Sequence, residues 1–333
     1  MEFDLINQYF APLSGGIATG DKAIGDDAAV MMPKPNHQIV TTTDTMVEGV
    51  HFFAQCDPYR LGWKLLAVNL SDLAAMGAQP WCYSLALTLP KSIAKNESWL
   101  QGFTQGLSDL AAQQACPLPL IGGDTTKGPL TLTLSIQGQV PVGQALYRTG
   151  AQVGDLLVVT NTIGDGALGL QVALQNPQVA HLTQAHQVDV LRALEQPMPQ
   201  NSLASQLYGV VNAVIDISDG LVQDLGHLLR GGSLPTQEGL GAVLELQNLP
   251  QSAAMQAYTQ VVNDYSLILS GGDDYQLLMA VSADKWQILQ AIAQDCGVVV
   301  SQVGQIVAGQ GVRLFNQGVD VTEQYQAKGY QHF

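Results

Sequence analysis

The sequence predicts an α/β protein of two domains. Apolar segments of strand length alternate with longer segments of helical spacing through both halves of the chain, which is typical of α/β folds. The chain has 333 residues, too many for one ordinary core, and 47% of them are hydrophobic. The composition changes at residues 143–154, GQALYRTGAQVG, and this change indicates the domain boundary.

The hydrophobic pattern places the elements of the first half. We expect strands at residues 28–32, 38–43, 81–89, 117–123 and 130–140. We expect helices at residues 3–10, 61–76 and 97–115. Asn69 and Asp72 are three residues apart in the middle helix, so their side chains lie on neighbouring positions of one side.

The second half begins again with a strand, followed by a glycine turn and a helix. Its strands are expected at residues 155–161, 211–217, 275–281 and 298–307. Further helices are expected at residues 219–229 and 283–296. The last twenty residues carry Tyr325, Tyr330 and Phe333, which predicts a tail that packs against the protein.

The charge balance excludes several classes of partner. There are 13 basic and 28 acidic residues, a net charge of −15, so nucleic acid and anionic membrane are not expected to bind. The chain has no run of 18 apolar residues and no signal-peptide pattern at its start, so we expect a cytoplasmic protein. Its four cysteines are widely spaced, which argues against zinc and disulfides.

Many of the acidic residues lie where strands meet turns, among small residues such as glycine, alanine and threonine. They are Asp26, Asp27, Asp44, Asp124, Asp216, Asp219, Asp273 and Asp274. Taken singly, Asp26-Asp27 and Asp273-Asp274 are explained by turn chemistry, whereas Asp216 follows Val214-Ile215 in an apolar strand and is harder to explain in this way. Several carboxylates can converge only around a cation, because like charges raise one another's pKa. Oxygen ligands without cysteine favour Mg²⁺, which would also allow an anionic substrate.

One glycine motif suggests a different function, which we reject. Residues 164–169 match GxGxxG after a strand, and Asp189 follows twenty residues later, as in a dinucleotide site. The motif does not begin a clean βαβ unit, however, and Asp189 lies in a helix-like stretch. Close packing of helix on strand is the favoured interpretation. P-loop and protein-kinase motifs are absent.

Eight stretches together resemble the thiamine-monophosphate kinase family. They occur in the family's order at residues 24–30, 41–52, 67–80, 121–134, 147–155, 214–225, 270–277 and 328–333. The first two are IGDDAAV and TTTDTMVEGVHF, and the seventh is SGGDDYQL. The resemblance implies a two-domain fold like that of aminoimidazole ribonucleotide synthetase, with mixed sheets packed by helices.

The resemblance also implies a domain plan and a reaction. Residues 1–142 would form an ATP- and Mg²⁺-binding domain that pairs in a homodimer, residues 153–310 a C-terminal α/β domain, and residues 311–333 a tail near the substrate site. ATP and thiamine monophosphate would react to give thiamine diphosphate and ADP by direct in-line transfer. Because the acceptor is already an oxyanion, no general base is needed, and catalysis is positioning and charge neutralisation.

Residue roles follow from the same resemblance. The metal ligands would be Asp27, Thr42, Thr43, Asp44, Asp72, Asp124, Asp216 and Asp219. The nucleotide contacts would be Gly123, Asp124, Arg148 and Ser218. The substrate contacts would be His51, Asp273 and Tyr330. The residues expected to act in the transfer itself are Asp44, Asp124, Arg148 and Asp219.

Some of these roles have plainer alternatives or depart from the family. Asp273 stands where the family usually has Glu, and Gln276 where an acid is frequent. Arg148 could be a solvated linker residue, and His51 a surface histidine. Tyr330 could anchor the tail rather than stack on the cationic thiazolium.

Other functions remain open at this point. Aminoimidazole ribonucleotide synthetase belongs to the same superfamily. Selenophosphate synthetase would need a cysteine near the N-terminus, but the first is Cys56; hydrogenase-maturation relatives would need a C-terminal cysteine, but the sequence ends His332-Phe333. A non-catalytic metal-binding protein would leave Arg148 and Tyr330 without a role.

Overall fold

The structure, a computed structural model, describes residues 2–232 and 239–325. The chain divides into two compact units. Unit 1 comprises Met1–Leu73 and Ala78–Ala145, and unit 2 comprises Ala74–Gly77 and Leu146–Phe333. Apart from Ala74–Gly77, the chain passes from unit 1 to unit 2 between Ala145 and Leu146. This point lies within the change in composition at residues 143–154.

Unit 1 contains a four-stranded sheet. Its strands are β1 (His37–Val47), β2 (Gln79–Leu89), β3 (Leu120–Lys127) and β4 (Thr131–Pro141). The spatial order is β1-β4-β2-β3, with β4 antiparallel to β1 and β2, and β2 parallel to β3. β1 and β3 are therefore the two edges of the sheet.

The helices of unit 1 are α1 (Glu2–Leu5), α2 (Pro58–Ala75), α3 (Lys91–Ala94) and α4 (Glu97–Ala112); a π-helical turn at Ile6–Phe10 and a 3₁₀ turn at Ala11–Ser14 follow α1. Among these helices, α2 packs against one face of this sheet and α4 packs on α2. α2 and α4 cross at glycines: a Cβ on Gly62 would lie 2.1 Å from the Phe103 carbonyl oxygen, and one on Gly106 1.9 Å from that of Tyr59. Leu85, Leu132 and Leu134 are buried on the covered face.

Unit 2 is built on a seven-stranded sheet. Its strands are β5 (Leu156–Thr160), β6 (Ala213–Ile217), β7 (Leu240–Glu245), β8 (Gln276–Val281), β9 (Val300–Ala308), β10 (Gly311–Asn316) and β11 (Val319–Asp320). The spatial order is β11-β10-β7-β9-β5-β8-β6. β7 and β10 are parallel, and the other neighbours are antiparallel.

Helices pack on both faces of this second sheet. They are α5 (Asp165–Ala173), α6 (Gln184–Glu195), α7 (Asn201–Ala204), α8 (Leu221–Gly232), α9 (Ala253–Val262), α10 (Ser266–Ser270) and α11 (Trp286–Asp295). Short 3₁₀ turns occur at Pro177–Val179, Leu246–Asn248, Ala283–Lys285 and Thr322–Tyr325. Leu157 and Val159 belong to one core and Val158 to another, as expected when successive side chains of a strand alternate between faces. The α/β fold with two mixed sheets confirms the predicted fold class.

Several predicted elements differ from the structure. Residues 28–32 do not form a strand, and only Val30 pairs, in an isolated bridge with Lys22. The strand predicted at residues 117–123 is Leu120–Lys127, starting after Pro117 and Pro119, which have no N–H to donate. The segment after residue 310, which the sequence assigns to a tail, contributes β10 and β11 to the sheet. In the described ranges, no helix has the length and apolar character needed to cross a membrane.

The glycines of the GxGxxG motif allow close packing of α5, but its neighbours at these glycines are not strands. A Cβ on Gly166 would lie 2.3 Å from the carbonyl oxygen of Asp273, and one on Gly169 2.2 Å from that of Val190 in α6. The two glycines let α5 approach the loop before β8 and the backbone of α6. The predicted helix–strand contact is therefore corrected to helix–loop and helix–helix contacts.

Candidate active site

In unit 1, β1 and α2 bring two carboxylates together. Side chains alternate along β1, so Thr42 and Asp44 share one face. The Thr42 hydroxyl donates a 2.5 Å hydrogen bond to Oδ2 of Asp72 on α2, which shows that this face is turned toward α2. The buried Asn69 accepts from the backbone N–H of Asp44 at 3.2 Å and donates to the Leu65 carbonyl at 2.9 Å. The predicted pairing of Asn69 and Asp72 on one side of the helix is confirmed.

The electrostatics of this pair suit a cation. Burial, and then repulsion by Asp72, raise the pKa of Asp44 to about 6. Burial also raises the pKa of Asp72, although the hydrogen bond from Thr42 opposes the change. Two desolvated carboxylates that repel each other are stabilised as anions by a positive charge between or beside them.

Asp124 lies elsewhere in the same unit. Register across the sheet aligns Asp44 with Leu134, Leu85 and Gly123, and aligns Asp124 with Ala86, Thr133 and Thr45. Asp124 therefore projects from the face opposite to Asp44, on the other edge strand, and its side chain is exposed. Thr43 also occupies this second face, where its hydroxyl is 2.7 Å from that of Ser135. Gly123 lets β3 approach β2, because a Cβ there would lie 1.8 Å from the Leu85 carbonyl oxygen.

Two other predicted residues of unit 1 lie in turns. Asp27 is exposed, and its backbone N–H donates to Asp26 at 2.9 Å. His51 follows β1, and its Nδ1 accepts a 3.0 Å hydrogen bond from the backbone N–H of Val47. In its neutral form, His51 therefore carries its ring proton on Nε2.

In unit 2, a residue that the sequence did not single out holds the turn between β6 and α8. Oδ2 of Asp224 accepts hydrogen bonds from the backbone N–H groups of Ser218, Asp219 and Gly220 at 3.0, 3.0 and 3.2 Å. Asp224 is 3% exposed, and burial raises its pKa to about 6 despite these donors. Its position in the first turn of a helix is the only local signal for this role.

A second turn, residues 270–275, packs against the first. The Asp273 N–H donates to the Ser218 carbonyl at 3.0 Å, and the Tyr275 N–H to that of Ile217 at 2.8 Å. A Cβ on Gly272 would lie 2.4 Å from the Ser218 carbonyl oxygen, so glycine is required for this approach. The carboxylate of Asp273 accepts from the Tyr275 hydroxyl at 2.9 Å. The structure thus brings Ser218, Asp219 and Asp273 together.

The remaining predicted residues of unit 2 are more dispersed. Asp216 is 8% exposed and pairs with Leu277, on the face of β6 that also carries Val214. Arg148 is exposed and belongs to the segment beside the C-terminal end of α8. Gln276, at 8% exposure, accepts from the Thr160 hydroxyl at 2.8 Å. Tyr330 lies outside the described residues.

The oxygen atoms of the candidate ligands have the chemistry that Mg²⁺ prefers, but few of these side chains lie close together. Asp44, Asp72 and Thr42 offer oxygen ligands, as Mg²⁺ prefers, and the raised pKa values indicate where positive charge would stabilise the protein. Within residues 2–232 and 239–325, however, no three Asp, Glu, His or Cys side chains are grouped closely enough to hold an ion. The full eight-residue ligand set therefore stays a prediction.

Comparison with known proteins first defines the class. A family model for AIR synthase related protein, N-terminal domain, matches residues 25–140, and one for the C-terminal domain matches residues 152–316. E. coli HypE, a hydrogenase maturation protein, shares this fold with a TM-score of 0.74 at 19% identity, over 99% of this chain and 98% of that one. The chain is an AIR synthase-related protein.

Closer relatives define the family. Thiamine-monophosphate kinases from Salmonella typhimurium and Escherichia coli K12 are 40% and 39% identical over 100% of this chain and 98% of theirs. The crystal structure of thiamine-monophosphate kinase from Stenotrophomonas maltophilia has a TM-score of 0.81 at 38% identity, covering 95% of this chain and 96% of that one. AaThiL complexed with AMPPCP and TMP has a TM-score of 0.75 at 27% identity, over 100% and 97%. The chain belongs to the thiamine-monophosphate kinase family.

Proposed function

We propose that the protein transfers the terminal phosphoryl group of ATP to thiamine monophosphate. A bond forms between an oxygen of the acceptor phosphate and the γ-phosphorus, the bond from the γ-phosphorus to ADP breaks, and thiamine diphosphate and ADP are released. The observation that carries the proposal is full-length similarity to AaThiL, which binds AMPPCP, an ATP analogue, together with TMP. ATP as donor also favours a cytoplasmic location.

Unit 2 would provide contacts to both reactants. The three N–H groups held by Asp224 fix the turn that carries Ser218 and Asp219, and Asp273 is held against this turn. Such rigid turns suit the positioning of two anions for in-line attack. Ser218 and Arg148 would contact the nucleotide, while Asp273, with His51 of unit 1, would contact thiamine monophosphate. Tyr330 is proposed as a further substrate contact.

Mg²⁺ would be the cofactor, and it would neutralise phosphate charge and orient the reacting oxygens when bound. In unit 1 we propose Asp44, Asp72 and Thr42 as one group of ligands. Asp27, Thr43 and Asp124, which do not belong to this group, are proposed as further Mg²⁺ ligands. In unit 2 we propose Asp216 and Asp219. Because the acceptor oxygen is ionised in neutral solution, the side chains need only position it and offset its charge.

We propose a homodimer that pairs through unit 1. The face of its sheet opposite α2 carries short polar side chains, including Thr43, Thr45 and Thr133, of which the first two are exposed. Asp124 projects from this same face, toward a partner that packs there. Asp44 of one copy and Asp124 of the other would then contribute to the same metal site.

The test is an ADP-release assay with thiamine monophosphate, thiamine and the precursor of aminoimidazole ribonucleotide as separate acceptors. We expect Mg²⁺-dependent ADP release with thiamine monophosphate alone, and an equal amount of thiamine diphosphate by chromatography. Release with only the aminoimidazole precursor would overturn the proposal in favour of that synthetase activity. Release with none of the three would contradict a kinase function.

A further inference from the structure

The outer face of α8 carries basic groups that the residue roles above do not use. Leu221, Leu225 and Leu228 are buried in the core, so the opposite side of the helix faces outward. Gln223, His227 and Arg230 follow one another there at spacings of four and three residues, which places them in one row, and Asp219 lies in the turn four residues before Gln223. Nε2 of Gln223 donates to Asp219 at 3.2 Å, and Nη2 of Arg230 donates to Nδ1 of His227 at 3.0 Å.

Arg148 comes to the same end of the helix. A Cβ on Gly231 would lie only 2.9 Å from the Arg148 carbonyl oxygen, so the two backbones are in contact. Burial first, and then the charges of Arg230 and Arg148, lower the pKa of His227, while Asp219 raises it. Both guanidinium groups therefore lie within electrostatic range of this imidazole.

The hydrogen bond fixes the state of His227. A guanidinium only donates, so Nδ1 of His227 must accept, and the ring proton resides on Nε2. His227 is thus neutral and holds the Arg230 side chain along the helix. Across residues 2–232 and 239–325, neither Arg148 nor Arg230 forms an ion pair with a carboxylate, although the chain carries a net charge of −15.

Two guanidinium groups that form no ion pair with any carboxylate of the described residues, beside a neutral histidine, form a site for an anion with several oxygens. We propose that Arg230, oriented by His227, is a second phosphate-binding cation beside Arg148, and that the pair binds the phosphate groups of the nucleotide. This inference rests on the proposed function, in which ATP binds near Arg148 and Ser218. Arg230 contacts the ligand, whereas His227 is a positioning residue.

The experiment compares full-length Arg230→Gln, Arg230→Lys, His227→Leu and His227→Asn with wild type. Arg192→Gln is the matched control, since Arg192 is also an exposed arginine in the last turn of a helix of unit 2. We expect Arg230→Gln to raise the KM for ATP about tenfold, the effect of losing a charge-assisted hydrogen bond, with the KM for thiamine monophosphate unchanged. Arg230→Lys should recover part of the loss. His227→Leu should weaken ATP binding, and His227→Asn, which keeps an acceptor near the Nδ1 position, should restore it.

Titration calorimetry with ADP and Mg²⁺ gives the same comparison without turnover. An Arg230→Gln variant that unfolds at lower temperature but keeps both the KM for ATP and the affinity for ADP would overturn the inference, since Arg230 would then only stabilise the end of α8. Equal increases in both KM values would also overturn it. Failure of the proposed function is distinct, because wild type itself would then release no ADP with thiamine monophosphate.

Discussion

Asp44 and Asp124 lie on opposite faces of one four-stranded sheet, on the two strands that form its edges. Three strand spacings separate the two edges, about 14 Å across the sheet. Two ligands of one Mg²⁺ ion must each approach it to about 2.1 Å. A single copy of unit 1 therefore does not bring both carboxylates to the same ion, and a shared ion requires two copies.

Mixed dimers test this arrangement. Asp44→Asn and Asp124→Asn should each be nearly inactive alone, because each homodimer loses one ligand from both sites. After the two variants are mixed, unfolded and refolded together, half of the dimers should be hybrids with one intact site of two. Activity should return to about a quarter of wild type, measured as ADP release with thiamine monophosphate.

The control for this experiment is a mixture of Asp44→Asn with Asp72→Asn. Asp44 and Asp72 approach each other within one copy, so every site in that hybrid lacks one ligand and no activity should return. Recovery in this control, or none with Asp124→Asn, would contradict a site shared between copies.

The ionised Asp44 carboxylate should lower the stability of the fold, although the proposed metal site needs it. Its pKa of about 6 lies above the ordinary value of 3.8, so its ionisation opposes folding. This cost develops as pH rises from about 4 to about 6 and is complete above that range. Without metal, Asp44→Asn should therefore be more stable than wild type at pH 7.5, by about 1–3 kcal/mol, and similar to it near pH 4. Thermal unfolding at both pH values measures the difference.

Added Mg²⁺ should make wild type more stable than Asp44→Asn at pH 7.5, since wild type would gain binding energy that Asp44→Asn lacks. Turnover should fall at least about a hundredfold in Asp44→Asn. Near-normal turnover at saturating Mg²⁺ would remove Asp44 from the metal site, and a variant less stable than wild type at pH 7.5 would contradict the electrostatic argument.

Local patterns predicted most of the elements and the position of Asp72 beside Asn69. They failed at residues 28–32, because the strand character of an apolar segment depends on a partner strand, and Val30 finds only a single bridge. They also missed β7 and α9, which no motif marks.

The arrangement of the site was less predictable than its residues. Nothing in the sequence fixes the order β1-β4-β2-β3, and this order decides that Asp124 and Asp44 face apart. The role of Asp224 depends on three backbone N–H groups turning toward it, which is a property of the folded turn. The pairing of His227 with Arg230 follows helical spacing, but its relation to Arg148 depends on long-range packing.

The turn held by Asp224 gives a further prediction. Asp224→Ala leaves three backbone N–H groups without their acceptor, that of Gly220 buried and those of Ser218 and Asp219 half-buried, so we expect a loss of about 3 kcal/mol in stability and a marked fall in kcat. Asp224→Asn keeps an amide oxygen as acceptor and should be milder in both. Denaturant unfolding and steady-state kinetics, well below the melting temperature, measure the two effects.

Asp155→Ala is the matched control. Asp155 is also 3% exposed in unit 2 and accepts from the Gln152 backbone N–H and the Asn212 side chain, but it supports a different turn. It should lose comparable stability and retain kcat. An equal fall in kcat in both variants would show that general destabilisation, rather than the position of Ser218 and Asp219, controls turnover.

The two packed glycines of α5 provide the last prediction, because they contact different neighbours. Gly166→Ala places a Cβ 2.3 Å from the carbonyl oxygen of Asp273, which must move, whereas Gly169→Ala places one 2.2 Å from that of Val190 in α6. Each should cost about 1–3 kcal/mol of stability. Only Gly166→Ala should also raise the KM for thiamine monophosphate, since it displaces Asp273. A similar KM in both variants would mean that Asp273 does not position this substrate.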